Sequence, residues 1–111
     1  MPHIRVADSA PSPGGRFRRD GPFSGEWFRD DILAPALREA IQRRDPVTVV
    51  LDGTSGYGSS FLEEVFGGLI RTGTFSRDQL RAYLKIEANT PLFEPYKTLA
   101  EKFIQQARRA A

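Results

Sequence analysis

With 111 residues and a hydrophobic content of 40%, the chain has material for one domain around one core. Zero cysteines and a single histidine exclude a disulfide scaffold and a metal site built on thiolates or several imidazoles, and any nucleophile–histidine pair would have to use His3. Sixteen basic side chains against 14 acidic ones leave a net charge of +2, which disfavours a nucleic-acid partner, and no apolar run approaches the ~20 residues of a membrane helix.

The alternation in His3-Ile4-Arg5-Val6-Ala7 predicts a short edge strand, and Ser9 to Gly15 is a loop by composition. Residues 1–15 are therefore expected to be a strand and a flexible loop, with residues 16–111 as the single domain. The N-terminus lacks the long apolar segment of a secretory signal, which points to the cytoplasm. Arg16-Phe17-Arg18-Arg19 is expected to be extended and ended by the turn Asp20-Gly21-Pro22. Arg16, Arg18 and Arg19 form the densest basic patch and are candidates for an anion contact, although three arginines on a short strand cannot all face one way.

Ser24 is placed to cap a helix, with Glu26 in its first turn. Phe28, Ile32, Ala36, Leu37, Ala40 and Ile41 recur at helical spacing as its buried stripe. Trp27 and Phe23 belong to a hydrophobic staple or the core, and Pro35 should kink the helix or start its second half, because it removes a backbone donor. The pairs Arg43-Arg44 and Arg108-Arg109 sit at predicted helix ends, where cations complement the terminal dipole. Val47-Thr48-Val49-Val50-Leu51 is a β-branched run of the kind found in a central strand covered on both faces.

Asp52-Gly53-Thr54-Ser55-Gly56-Tyr57-Gly58 is a glycine-rich loop leading to a helix that starts near Ser59 or Ser60. Ser60 with Glu63 has capping-box spacing, and the pair Glu63-Glu64 complements the dipole of the first turn. Phe61, Leu62, Val65, Phe66, Leu69 and Ile70 predict deep burial. Gly67-Gly68 costs about 1 kcal/mol of helix propensity per glycine, which points to close packing of the backbone there. Ser76 and Gln79 repeat the capping-box pattern, Tyr83 to Ala88 alternates as a strand, and Phe93, Tyr96, Ala100, Phe103, Ile104 and Ala107 mark a final helix. The order of elements predicts an α/β fold with right-handed crossovers and an at least partly parallel sheet.

Function in such folds gathers where a strand leads through a loop into a helix N-terminus, so the segment from Val49 to Glu64 is the informative one. Three readings of it stand side by side. The loop holds a nucleotide or phosphometabolite on its free N–H groups, although no Walker-type lysine precedes the serines. Alternatively Ser59 and Ser60 are caps, Ser60 being the better one because Glu63 follows it. Or Ser59 is phosphorylated and switches a docking surface. Asp52 is expected to order the turn by side-chain hydrogen bonds, and Tyr57 to serve as an interface anchor on the loop or merely to cover the helix end. The set Asp52, Gly53, Gly56, Tyr57, Gly58 and Ser60 then forms the partner-binding loop.

The order strand, loop, paired serines and apolar helix resembles the STAS domain of sulfate transporters and anti-sigma factor antagonists. In the antagonists the loop ends Asp-Ser-Ser/Thr-Gly-Leu and an anti-sigma kinase phosphorylates the first hydroxyl. On this chain Gly58 takes the Asp place, Ser59 the phosphorylated hydroxyl, Ser60 the next hydroxyl and Phe61 the Gly place. The closer resemblance is to a small bacterial STAS-like family of unknown function, carried by Gly21-Pro22-Phe23-Ser24-Gly25-Glu26-Trp27-Phe28 and by the run from Leu51 to Leu69. It implies a STAS-like mixed sheet with helices packed mainly on one side. By analogy it implies a noncatalytic regulatory domain, not an enzyme and without a cofactor. Its expected partner is a histidine-kinase-like ATPase, and its mode of action partner switching.

Overall fold

Val47, Thr48, Val49 and Val50 are all buried, and they form the middle strand of a three-stranded sheet. The computed structural model describes residues 2–110. Strand β1 (His3–Arg5) and strand β3 (Leu84–Glu87) flank β2 (Val47–Val50) in the order β1-β2-β3. Both pairings are parallel, with His3 opposite Thr48 and Val50 opposite Glu87. Among the described residues the sheet is thus wholly parallel rather than mixed, and the α/β class holds. A β-branched strand with side chains buried on both faces is what such a sheet demands at its centre.

Val6 and Ala10 belong to the same core and β1 to the same sheet, which corrects the expected boundary at residue 16. Thr48 donates its N–H to the Pro2 carbonyl at 2.9 Å, extending the β1 pairing. Ala10 is fully buried, and the loop is tied down by Gly14 N–H to Phe23 O and Gly25 N–H to Gly15 O. The apolar atoms of Val6 and Ala10 need the core; the Ala10 N–H closes on Val6 O, and the Pro11 carbonyl accepts from the Ser55 N–H at 2.9 Å. Of residues 16–19, Phe17 is extended as expected but Arg18 and Arg19 are not. Arg18–Asp20 is a 3-10 turn, closed by the Asp20 carboxylate accepting from the Phe17 N–H at 2.8 Å.

Helix α1 (residues 25–43) starts where expected, with the Ser24 hydroxyl accepting from the Trp27 N–H at 3.1 Å. Pro35 does not break it. Instead the preceding stretch, Phe28–Leu33, opens into a π-helix, in which the Ala34 N–H reaches back five residues to Arg29 O. Proline lacks a donor and its ring crowds the carbonyl four residues earlier, and a wide turn accommodates both defects. The wider turn moves the buried stripe: Phe28, Leu33, Leu37 and Ala40 are in the core, whereas Ile32 and Ala36 are only half-buried.

Helix α2 (residues 59–71) has a π-helical stretch of its own at Glu63–Gly67. Phe61, Leu62, Val65, Phe66, Leu69 and Ile70 are buried as expected. Helix α3 (Arg77–Tyr83) carries the predicted capping box, Ser76 Oγ accepting from Gln79 N–H at 3.1 Å and Gln79 Oε1 accepting from Ser76 N–H at 2.9 Å. Helix α4 (Glu94–Gln106) packs against α2. Among the described residues no helix is long and apolar enough to cross a membrane.

Candidate functional site

The loop after β2 is held from three sides. Asp52 is nearly buried, and its carboxylate accepts from the Asn89 N–H at 2.9 Å, the Thr90 N–H at 3.1 Å and the Thr90 hydroxyl at 2.9 Å. Burial pushes this carboxyl up, but the bonds from Asn89 and Thr90 outweigh it and hold it below its ordinary value. Asp52 does order a turn, as expected, and the turn is the one following β3. It is therefore an internal clamp between two loops rather than a contact on the partner-binding loop.

Tyr57 is likewise internal, which corrects its reading as an exposed anchor. The side chain is buried, its hydroxyl donates to Leu51 O at 2.7 Å, and its ring lies 5.2 Å from Tyr96, 5.8 Å from Phe61 and 6.3 Å from Phe93. Burial pushes the phenol well above its ordinary range, so it stays neutral. An aromatic ring on a glycine loop gains more from this aromatic cluster than from water. Close by, Gly56 has φ +118° and a Cβ there would sit 3.1 Å from the Tyr96 hydroxyl oxygen, so both conformation and space require glycine.

What the loop leaves exposed is Gly53, Ser55, Gly58 and Ser59. Gly58 is extended and takes the N-cap position of α2 without a side-chain bond. Ser59 is the first helical residue, exposed, and its hydroxyl has no hydrogen-bond partner among the described residues. Ser60 lies inside the first turn, where its hydroxyl cannot reach back as a cap, so the expected Ser60–Glu63 capping box does not form. Glu63 turns instead to Arg16 and to Arg71, the latter at 2.6 Å.

Beneath that first turn is a charged cluster that connects three segments. Glu64 accepts from Arg29, Arg16 (3.1 Å) and Arg71 (3.2 Å), and Arg29 also reaches Asp30 at 2.9 Å. Arg29 and Glu64 are both buried. Burial raises the Glu63 carboxyl, but Arg71 and Arg16 outweigh it and hold it low. The pair Glu63-Glu64 is thus chiefly a cross-link to α1 and to the segment before it, not a simple complement to the helix dipole. Gly68 lies where expected, in a close approach: a Cβ there would be 2.5 Å from Arg29 Nη1.

The family model for the STAS-like domain of unknown function (DUF4325) matches residues 24–91. The chain belongs to this family. No curated protein and no solved structure matches it. The matched stretch of this STAS-like domain runs from the Ser24 cap to just past Thr90. It therefore contains Asp52 with both of its partners, Arg29 with Glu64, and the whole loop to Ser59. Arg16 and the Tyr96–Phe93 side of the aromatic cluster lie outside it.

The three arginines before α1 diverge in the STAS-like domain. Arg16 points to Glu63 and Glu64, Arg18 makes a two-pronged bond to Asp31 at 2.9 and 3.2 Å, and Arg19 lies 4.7 Å over the Phe17 ring. They form no common anion cradle, since carboxylates and an aromatic face already occupy them. Sequence reasoning missed Arg71, which folds back along its own helix to Glu63 and Glu64, and Thr90 and Tyr96, which are joined to the loop by contacts distant in the chain. It also missed Arg5, whose guanidinium lies beside Gly53, within 3.7 Å of where a Cβ would stand.

Proposed function

We propose that this STAS-like domain is a noncatalytic, cytoplasmic regulatory module that binds a histidine-kinase-like ATPase and is released or retained according to the phosphorylation of Ser59. The observation that carries the reading is the position of Ser59: exposed, with a free hydroxyl, at the first residue of α2. The surface offered to the partner is Gly53, Ser55, Gly58 and Ser59, while Asp52 and Tyr57 hold that surface in shape from within.

Phosphoryl transfer moves the γ-phosphoryl group of ATP onto Ser59 Oγ, with loss of the hydroxyl proton and release of ADP. The product adds about −1.5 to −2 charge at a helix N-terminus, where the dipole and free N–H groups favour an anion. The domain therefore stays folded, and the added charge changes the docking face alone. To test this, the protein is incubated with a kinase-like ATPase of the same organism and ATP, and phosphate is mapped by mass spectrometry. Phosphate on Ser59 together with altered complex formation is the expected result. Neither phosphate nor complex would overturn the reading.

A further inference from the structure

Strand β3 is an edge of the sheet, with β2 its only strand neighbour among the described residues. The Leu51 N–H donates to Glu87 O at 2.9 Å. In a parallel ladder the polar groups of alternate residues point to the same side. Glu87 and Lys85 therefore turn theirs to β2, while the N–H and C=O of Ile86 point away from the sheet. Next to this edge, Leu80, Leu84, Ile86 and Ile104 line a groove of about 440 Å³ between α3 and α4. Unpaired strand edges are templates for another strand unless something blocks them.

Charge shows which strand fits. Lys85 is exposed and Glu87 half-buried, and alternation puts them on one face of β3. Neither forms an ion pair among the described residues. A lone lysine on an edge would repel a neighbour of like pattern. Here the sequence Lys85-Ile86-Glu87 is its own complement when reversed.

We propose that two copies of this chain pair β3 against β3 in antiparallel fashion about a two-fold axis at Ile86. Ile86 and its counterpart exchange N–H···O bonds, since both point outward, and Lys85 falls opposite Glu87 of the second copy. Those flanking positions form non-hydrogen-bonded pairs, in which Cα atoms approach to about 4.5 Å and side chains interact most strongly. The arrangement is isologous and closes at two copies. The inference is independent of Ser59 and its modification.

Analytical ultracentrifugation of the full chain over rising concentration tests it, with circular dichroism as the check on folding. The wild type should dimerise. Lys85→Glu places two carboxylates opposite each other and should leave a folded monomer, as should Glu87→Lys with two ammonium groups. The double variant carrying both changes restores complementarity and should dimerise again. In hydrogen exchange, the Ile86 amide should become protected as concentration rises. A chain that stays monomeric, a dimer indifferent to Lys85→Glu, or a double variant that does not recover would each overturn the proposal.

Discussion

Arg29 and Glu64 form a buried ion pair, and each sits in a π-helical stretch of its helix. A π turn turns the side chains that follow it out of their α-helical phase. In α1 and α2 it brings a guanidinium and a carboxylate to the same interior point, with Gly68 leaving room for the arginine. The geometry joins the helix before β2 to the helix after it, and so fixes the base from which Ser59 projects.

Breaking that pair from one side should be costly. Glu64→Ala leaves the buried Arg29 with Asp30 alone and takes a partner from Arg16 and Arg71; loss of one partner of a buried ion pair typically costs about 3–5 kcal/mol, and Asp30 holds the cost toward the lower end. Replacing both ends with apolar groups of similar volume, Arg29→Met with Glu64→Leu, should recover most of the loss. Urea denaturation of the single and double variants measures both effects.

Gly68→Ala provides a separate check on the same contact. Helix propensity alone favours alanine by about 1 kcal/mol. The added methyl would meet Arg29 Nη1 at 2.5 Å and Cδ at 3.1 Å, on a side chain fixed by Glu64 and Asp30. Overpacking of this kind costs about 1–3 kcal/mol, so the variant should be less stable than the parent. A raised melting temperature would show that Arg29 yields freely.

These contacts were hidden in the sequence for a definite reason. The period of 3.6 assigned Ile32 and Ala36 to the core, yet the spacing of five between Phe28 and Leu33, visible in the chain, is that of a π turn. By contrast, the Ser24 and Ser76 caps and the run from Val47 to Val50 were legible, because their partners are three residues away or their burial depends on residue type alone. Ser60 with Glu63 had the same local signature and failed, because Arg16 and Arg71 compete for the carboxylate and Gly58 takes the cap position. For Tyr57 the glycine-rich setting suggested exposure, and the rings that bury it, Phe93 and Tyr96, belong to a different stretch of chain.

Acid should weaken the fold through Asp52 and Glu63. Both carboxyls are held below their ordinary values of 3.8 and 4.5 in the native state. At acid pH the unfolded chain therefore binds protons first. The stability these groups contribute is complete above about pH 5 and is lost as pH falls through their lowered native values. Asp52→Asn should make the urea midpoint less sensitive to pH between neutrality and pH 3. An unchanged slope in that variant would assign the acid sensitivity to Glu63 and its arginines.

The serines of the loop should differ from Ser76 in a simple stability measurement. Ser76→Ala removes a cap and should cost about 1 kcal/mol. Ser59→Ala and Ser60→Ala remove no cap bond and should stay within about 0.5 kcal/mol of the parent. Ser59→Asp puts a negative charge in the first turn of α2 and should stabilise by about 0.3–1 kcal/mol at low salt, with the gain fading as salt is added. If Ser59→Asp also weakens binding to the proposed ATPase partner, the effect arises at the proposed docking face, because the fold has become more stable rather than less.

Arg44 terminates α1 in the left-handed region, with φ 55° and ψ 42°, and its N–H closes on Ala40 O and Ile41 O. This is the position where helices most often place glycine, since a Cβ is strained there. The exposed arginine adds a cation at the C-terminal end of the helix dipole, a contribution of about 0.3–1 kcal/mol. Arg43, one residue earlier and paired with Glu39 at 2.8 Å, already supplies such a cation. Relief of the left-handed strain is worth about 1 kcal/mol. Arg44→Gly should therefore raise stability by a few tenths of a kcal/mol up to about 1 kcal/mol, and more clearly at high salt, where the lost cation matters least. Thermal melts at low and high salt decide the matter: a variant less stable at both would show that Arg44 contributes through contacts beyond its backbone conformation.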